Sequence, residues 1–131
     1  MKKGVVHHIE LYVSNLEASK KFWGWLLEEL GYTPFQNWEE GSSWRLDDTY
    51  IVFVQTEEKY LDIPYHRKRV GLNHLAFYAQ SKAHVDQLTQ VLKQRGVSVL
   101  YEQQHPFAGG MNHYAVYFED PDRIKVEVVA P

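Results

Sequence analysis

Two histidines and one glutamate stand where they could hold a metal ion. His8 lies near the start of an apolar run, residues 5–13. His74 lies near the start of a second run, residues 71–79, 66 positions later (74 − 8). Glu127 sits in a third, Lys125-Val126-Glu127-Val128-Val129. In an extended strand successive side chains point to opposite faces. His8 therefore shares a face with Glu10 and Tyr12, opposite Ile9, Leu11 and Val13. His74 lies opposite Leu75 and Phe77, and Glu127 opposite Val126 and Val128. All three point away from the side that would pack under a helix. Two imidazoles and one carboxylate leave open positions on a divalent ion for water or substrate. A lone strand histidine is most often an ordinary hydrogen-bonded residue. The recurrence of His8 as His74 within an internal repeat is what makes the pair ligand candidates. A carboxylate flanked by valines also needs a buried partner. His7 points to the other face and is expected at the surface or behind His8.

The elements that must position these residues form two similar halves. In the first, Ser14 with Glu17 three residues later reads as a capping box. Phe22, Trp23, Leu26, Leu27 and Leu30 then recur at helical spacing, and Gly31 and Pro34 end the helix. Residues 44–46 and 50–54 read as strands around Asp47-Asp48, with another short strand near 33–36. Residues 57–70 are charged and aperiodic, with Pro64 and the basic run His66-Arg67-Lys68-Arg69; they read as a connector. The second half repeats the plan: a strand over 72–79, a helix capped by Ser81 with Val85, Leu88, Val91 and Leu92 on one face, and a stop at Gly96. Strands are expected over 97–102, 113–118 and 124–129, with a flexible loop at Phe107-Ala108-Gly109-Gly110. Superposing the halves late in the chain with an offset of 74 sets Phe53 against Glu127, with Gln55 the next choice.

Composition bounds the function. The chain has 131 residues, 44% of them hydrophobic, enough for one core-forming domain over 1–131. Its net charge is −3 with no long basic run, which argues against nucleic acid as partner. No stretch has the length of a membrane span, and no leader is evident, so the expected location is the cytoplasm. There are no cysteines, so any metal must take nitrogen and oxygen ligands. Aromatic residues are 15% of the chain, and Trp38, Trp44, Phe53 and Phe107 could line an aromatic pocket.

The runs His8-Ile9-Glu10-Leu11-Tyr12-Val13-Ser14-Asn15-Leu16, Asn73-His74-Leu75-Ala76-Phe77 and Phe118-Glu119-Asp120-Pro121-Asp122, the last leading to Lys125-Val126-Glu127, resemble the vicinal oxygen chelate superfamily, also called the glyoxalase/bleomycin-resistance/dioxygenase superfamily. The last stretch is the most specific; Arg123 replaces the Gly that usually closes its turn. The resemblance implies an α+β fold of two paired βαβββ modules forming a U-shaped mixed sheet around a metal-binding cavity. Module one would span about 4–56 and module two about 71–131. It implies a divalent cofactor (Zn, Mn, Ni, Fe or Co) on His8, His74 and Glu127, a small-molecule substrate with vicinal oxygens, and a homodimer. Lyase, isomerase, transferase and dioxygenase chemistries all occur on this plan. Glyoxalase I adds a fourth ligand, a Glu in the first module, where Phe53 is expected here. Extradiol dioxygenases place a further His and Tyr near substrate; His113, Tyr117 and Tyr12 could take such parts, and Glu10 that of a general base. Arg45 and Lys125 are further candidates around the substrate. The alternative is a small-molecule binding or antibiotic-resistance module without turnover, although sequestering members lack the metal ligands.

Overall fold

The computed structural model describes residues 2–131, which form two compact units, residues 2–64 and 65–131. Each unit is a four-stranded mixed sheet with one helix. The first contains β1 (His8–Val13), α1 (Leu16–Glu29), β2 (Thr33–Trp38), β3 (Gly41–Leu46) and β4 (Thr49–Gln55), in the sheet order β1-β4-β3-β2. The second contains β5 (His74–Tyr78), α2 (Lys82–Gln94), β6 (Val99–Leu100), β7 (Ala115–Glu119) and β8 (Lys125–Val129), in the order β5-β8-β7-β6. In both, the first strand runs parallel to the last and the remaining pairs are antiparallel. The α+β class and the paired four-strand plan expected from sequence are present. No helix among the described residues is long and apolar enough to cross a membrane.

The repeat extends to the helix ends. Asn15 caps α1, its side chain accepting from the Ala18 amide at 3.2 Å. The expected cap, Ser14, is one residue too early; its carbonyl instead receives the Gln55 side-chain amide at 2.9 Å. Ser81 caps α2 as expected, accepting from the His84 amide. Both helices end in the same paired hydrogen bonds: Tyr32 to Leu27 and Gly31 to Glu28, then Val97 to Leu92 and Gly96 to Lys93. This closure places one residue in the left-handed region. Gly31 (φ 96°) and Gly96 (φ 73°) fill it without a Cβ clash.

Each helix buries one face of its sheet. Under α1 lie Val13, Ile51, Phe53 and Trp44, with Trp23 stacked on Phe53 at 5.0 Å between centroids. Under α2, Val85, Leu88 and Leu92 meet the side of the sheet carrying Leu75, Val116, Phe118, Val126 and Val128. The aromatic-pocket expectation is corrected here. Trp44 and Phe53 are buried, and Trp44 Nε1 donates to Glu28 at 3.1 Å, so both belong to the helix-packed core. Trp38 lies over Gly41 at the end of β2, and Phe107 packs edge-on to Tyr114.

Four segment boundaries also change. β2 is a full strand over Thr33–Trp38, and β3 starts at Gly41. The strand expected over 97–102 shrinks to Val99–Leu100, because Tyr101 takes φ 56° and opens a chain of turns through 113. His113 is therefore the end of a loop and not the start of β7. The turn before β8 is fixed by Asp120, whose Oδ1 accepts from the amides of Asp122 and Ile124, both at 2.8 Å. Arg123 there takes φ 65°, which accounts for the Gly usual at that place.

Candidate functional site

Strand register decides which side chains share the face away from each helix. In the second unit β5 pairs with β8 as His74↔Lys125 and Ala76↔Glu127, and β7 pairs with β8 as Tyr117↔Glu127. His74, Ala76, Tyr78, Lys125, Glu127 and Tyr117 thus line one open face. Glu127 is 5% exposed, and its carboxylate is the centre of the cluster. His74 Nε2 lies 3.1 Å from Oε1. His113 Nε2 contacts Oε2 from the loop end. Tyr117 stands directly across from Glu127, and burial followed by the Glu127 charge pushes its phenol up to about 12. The hydroxyl therefore keeps its proton at neutral pH and can donate. Lys125 Nζ reaches the Tyr101 hydroxyl at 3.1 Å and lies 5.5 Å from the Tyr117 ring. An open cleft of about 710 Å³ adjoins the cluster, with Ala76, Tyr78, Val129, Asn112, His113 and Glu127 in its walls.

Asn73 was not singled out from sequence, yet it settles the chemistry of His74. Its Oδ1 lies 2.7 Å from His74 Nδ1. An amide oxygen only accepts, so Nδ1 carries a hydrogen. In the neutral ring Nε2 is then a lone pair facing Oε1, another acceptor. Two acceptors at 3.1 Å need a cation between them, either a proton or a metal ion. Two donors at right angles on an ion, with bonds of about 2.0–2.2 Å, are about 2.8–3.1 Å apart. The donor types and spacing of His74 and Glu127 therefore fit a divalent metal.

In the first unit the open face carries His8, Glu10 and Tyr12 from β1 and Tyr50, Val52 and Val54 from β4. The expected alternation holds: Val13 is buried, while His8, Glu10 and Tyr12 are exposed. His8 stacks on Tyr50 at 4.8 Å with ring planes 5° apart. Its Nδ1 lies 2.9 Å from Nδ1 of His7. Each candidate histidine thus has Nδ1 engaged by the residue just before it, which leaves Nε2 as the outward nitrogen. That parallel was visible in sequence only as His7-His8 beside Asn73-His74. Arg45 is turned to the Asp47 carbonyl at 2.8 Å and lies 5.1 Å from the Phe35 ring centroid. Among the described residues, no three His, Asp or Glu side chains are arranged to hold a metal ion. His74 and Glu127 stand together in one unit, and His8 belongs to the other.

The fourth-ligand position is also corrected. Counted along paired strands, His8 opposite Tyr50 corresponds to His74 opposite Lys125, and the residue two beyond Tyr50 corresponds to Glu127. That residue is Val52, an offset of 75 (127 − 52), not Phe53. Phe53 pairs with Leu11 and faces α1. Gln55 is no substitute, because its side chain accepts from the Leu16 amide at 2.8 Å. The offset of 74 slips by one residue, and one residue changes the face.

The chain is 63% identical over 126 residues to the protein YqjT of Bacillus subtilis, covering 96% of this chain and 98% of that one. A crystal structure of a candidate glyoxalase from Bacillus halodurans superposes with a TM-score of 0.98 at 58% identity, covering 99% and 98% of the two chains. A variant of the fosfomycin resistance protein FosX from Listeria monocytogenes, crystallised with Mn(II) and a dihydroxypropylphosphonic acid, shares the fold at TM-score 0.68 and 22% identity, over 96% and 89% of the chains. Residues 5–128 match the family described as the Glyoxalase/Bleomycin resistance protein/Dioxygenase superfamily, and the chain belongs to it.

Proposed function

We propose that this protein is a metal-dependent enzyme acting on a small substrate through two neighbouring oxygens. His8, His74 and Glu127 would hold the ion. The observation that carries the reading is Nε2 of His74 facing Glu127 Oε1 at 3.1 Å, with Nδ1 committed to Asn73. When bound, a divalent ion supplies Lewis acidity toward the substrate oxygens and the negative charge that develops on them. The remaining work falls to the chain. Tyr117, held protonated, offers a hydrogen-bond donor beside the carboxylate. Lys125 adds positive charge on the same open face, which favours an oxyanion there. Ala76, Tyr78 and Val129 give the open cleft apolar walls that suit an apolar substrate body. Glu10 is the candidate base and Tyr12 a candidate substrate contact, both exposed on the open face of β1. The reaction is of the lyase, isomerase, transferase or dioxygenase type found on this fold.

Calorimetric titration of chelator-treated protein with Mn(II), Zn(II), Ni(II), Co(II) and Fe(II) tests the reading. At least one is expected to bind with one ion per chain. If none binds, the protein is instead a metal-free binding module and the catalytic reading fails.

The same reading includes a homodimer. Tyr12 and Tyr78 are 68% and 77% exposed at matching places in the first strand of each unit. Sedimentation velocity at tens of micromolar is expected to give a species of twice 15.4 kDa. A single species at the monomer mass would overturn it.

A further inference from the structure

The loop that runs from β6 to β7 brings one imidazole onto Glu127 from outside both ligand strands. His113 sits at its end, and its Nε2 contacts Oε2, the carboxylate oxygen that does not face His74. The Glu127 carboxylate is only 5% exposed and already has His74 at its other oxygen, and His113 itself is half-buried. The loop is nevertheless shaped around the contact. A Cβ on Gly109 would come within 2.4 Å of His113 Cδ2 and 2.7 Å of the Tyr117 hydroxyl. The backbone at Gly109 thus lies directly against both rings. The His113 amide bonds to the Gly110 carbonyl at 3.1 Å, and the Ala115 amide to the Pro106 carbonyl at 2.9 Å, which fixes the loop end to its own base.

We infer that His113 is a positioning residue for Glu127. By donating to Oε2 it turns the carboxylate so that Oε1 alone addresses the position shared with His74 Nε2. The inference rests on the metal reading above and deepens it. In this role His113 touches neither ion nor substrate, unlike the substrate-facing part expected from sequence. A carboxylate so held would bind a divalent ion through one oxygen and would leave more of the ion's positions to substrate than binding through both.

The test uses the full chain as wild type, His113→Ala and His113→Gln, with Mn(II) calorimetry and the visible spectrum of the Co(II)-loaded protein. Glutamine keeps a side-chain N–H donor. Loss of such a supporting partner typically weakens metal binding by about 10–100-fold. His113→Ala is expected to fall in that range and His113→Gln to recover most of it, with the Co(II) spectrum shifted only in the alanine variant. Unchanged Mn(II) affinity and spectrum in His113→Ala would overturn the positioning role while leaving the metal site intact. Complete loss of binding in both folded variants would also overturn it, because His113 would then be a ligand itself. A wild type that binds no divalent ion removes the metal reading and this inference with it. Circular dichroism of the metal-free proteins separates misfolding from any of these results, and the glutamine variant carries the test if alanine disrupts the loop.

Discussion

Phe53→Glu is expected to leave the chain unfolded, whereas Val52→Glu, one residue earlier, is expected to fold and to depend on metal. Phe53 is fully buried, stacked on Trp23 and edge-on to Trp44. Removing a buried aromatic ring costs about 3–5 kcal/mol, and the carboxylate adds the cost of a buried unpaired charge. A domain has only about 5–15 kcal/mol in total. Val52 lies on the opposite face, in the place that Glu127 holds in the second unit. A glutamate there would stand beside the strand of His8, with Glu10 directly across on β1. Without metal the buried carboxylate and its acidic neighbour are expected to cost about 3 kcal/mol. An ion at 100 times its Kd would return about 2.7 kcal/mol. Thermal melts with and without chelator check both halves. Phe53→Glu melting like wild type would contradict the packing under α1. A chelator shift in Val52→Glu no larger than that of wild type would contradict the register.

The second large effect concerns the two neighbours Asn73 and His74. His74→Ala is expected to lower divalent affinity by more than the roughly 10–100-fold that a supporting partner is worth, because a ligand itself is lost. Asn73→Ala is expected to fall within that range, since the ring remains but its tautomer is no longer fixed. The metal-free melting temperature is expected to fall in His74→Ala, because the buried Glu127 carboxylate loses a partner 3.1 Å away, and to stay nearly unchanged in Asn73→Ala, whose side chain is exposed. Calorimetry on the two variants decides between roles. Equal affinity in His74→Ala and wild type would remove His74 from the site. Wild-type affinity in Asn73→Ala would leave the ligand but dismiss its orienting partner.

Sequence alone was enough for the class of fold and for the faces of the strands that begin each half. Period-two alternation is a local property, so His8, Glu10 and Tyr12 could be put opposite Ile9, Leu11 and Val13 without a structure. The Ser81 cap and the Gly31 and Gly96 stops were likewise legible, because local backbone geometry demands those residue types. The likeness of His8 to His74 came from the repeat itself. What sequence could not decide was pairing between distant strands. The slip from Phe53 to Val52 arose because the two halves differ in length between their first and last strands, by an offset of 66 at the start and 75 at the end. Hydrogen bonding between β1 and β4, over 40 residues apart, fixes that register, and no periodicity within β4 reports it. The same holds for His113. Its short segment carries no strand or helix pattern, and only the fold of the loop over β7 and β8 brings its ring to Glu127. Local spacing determined which residues could face away from each helix, and tertiary hydrogen bonding decided which of them meet.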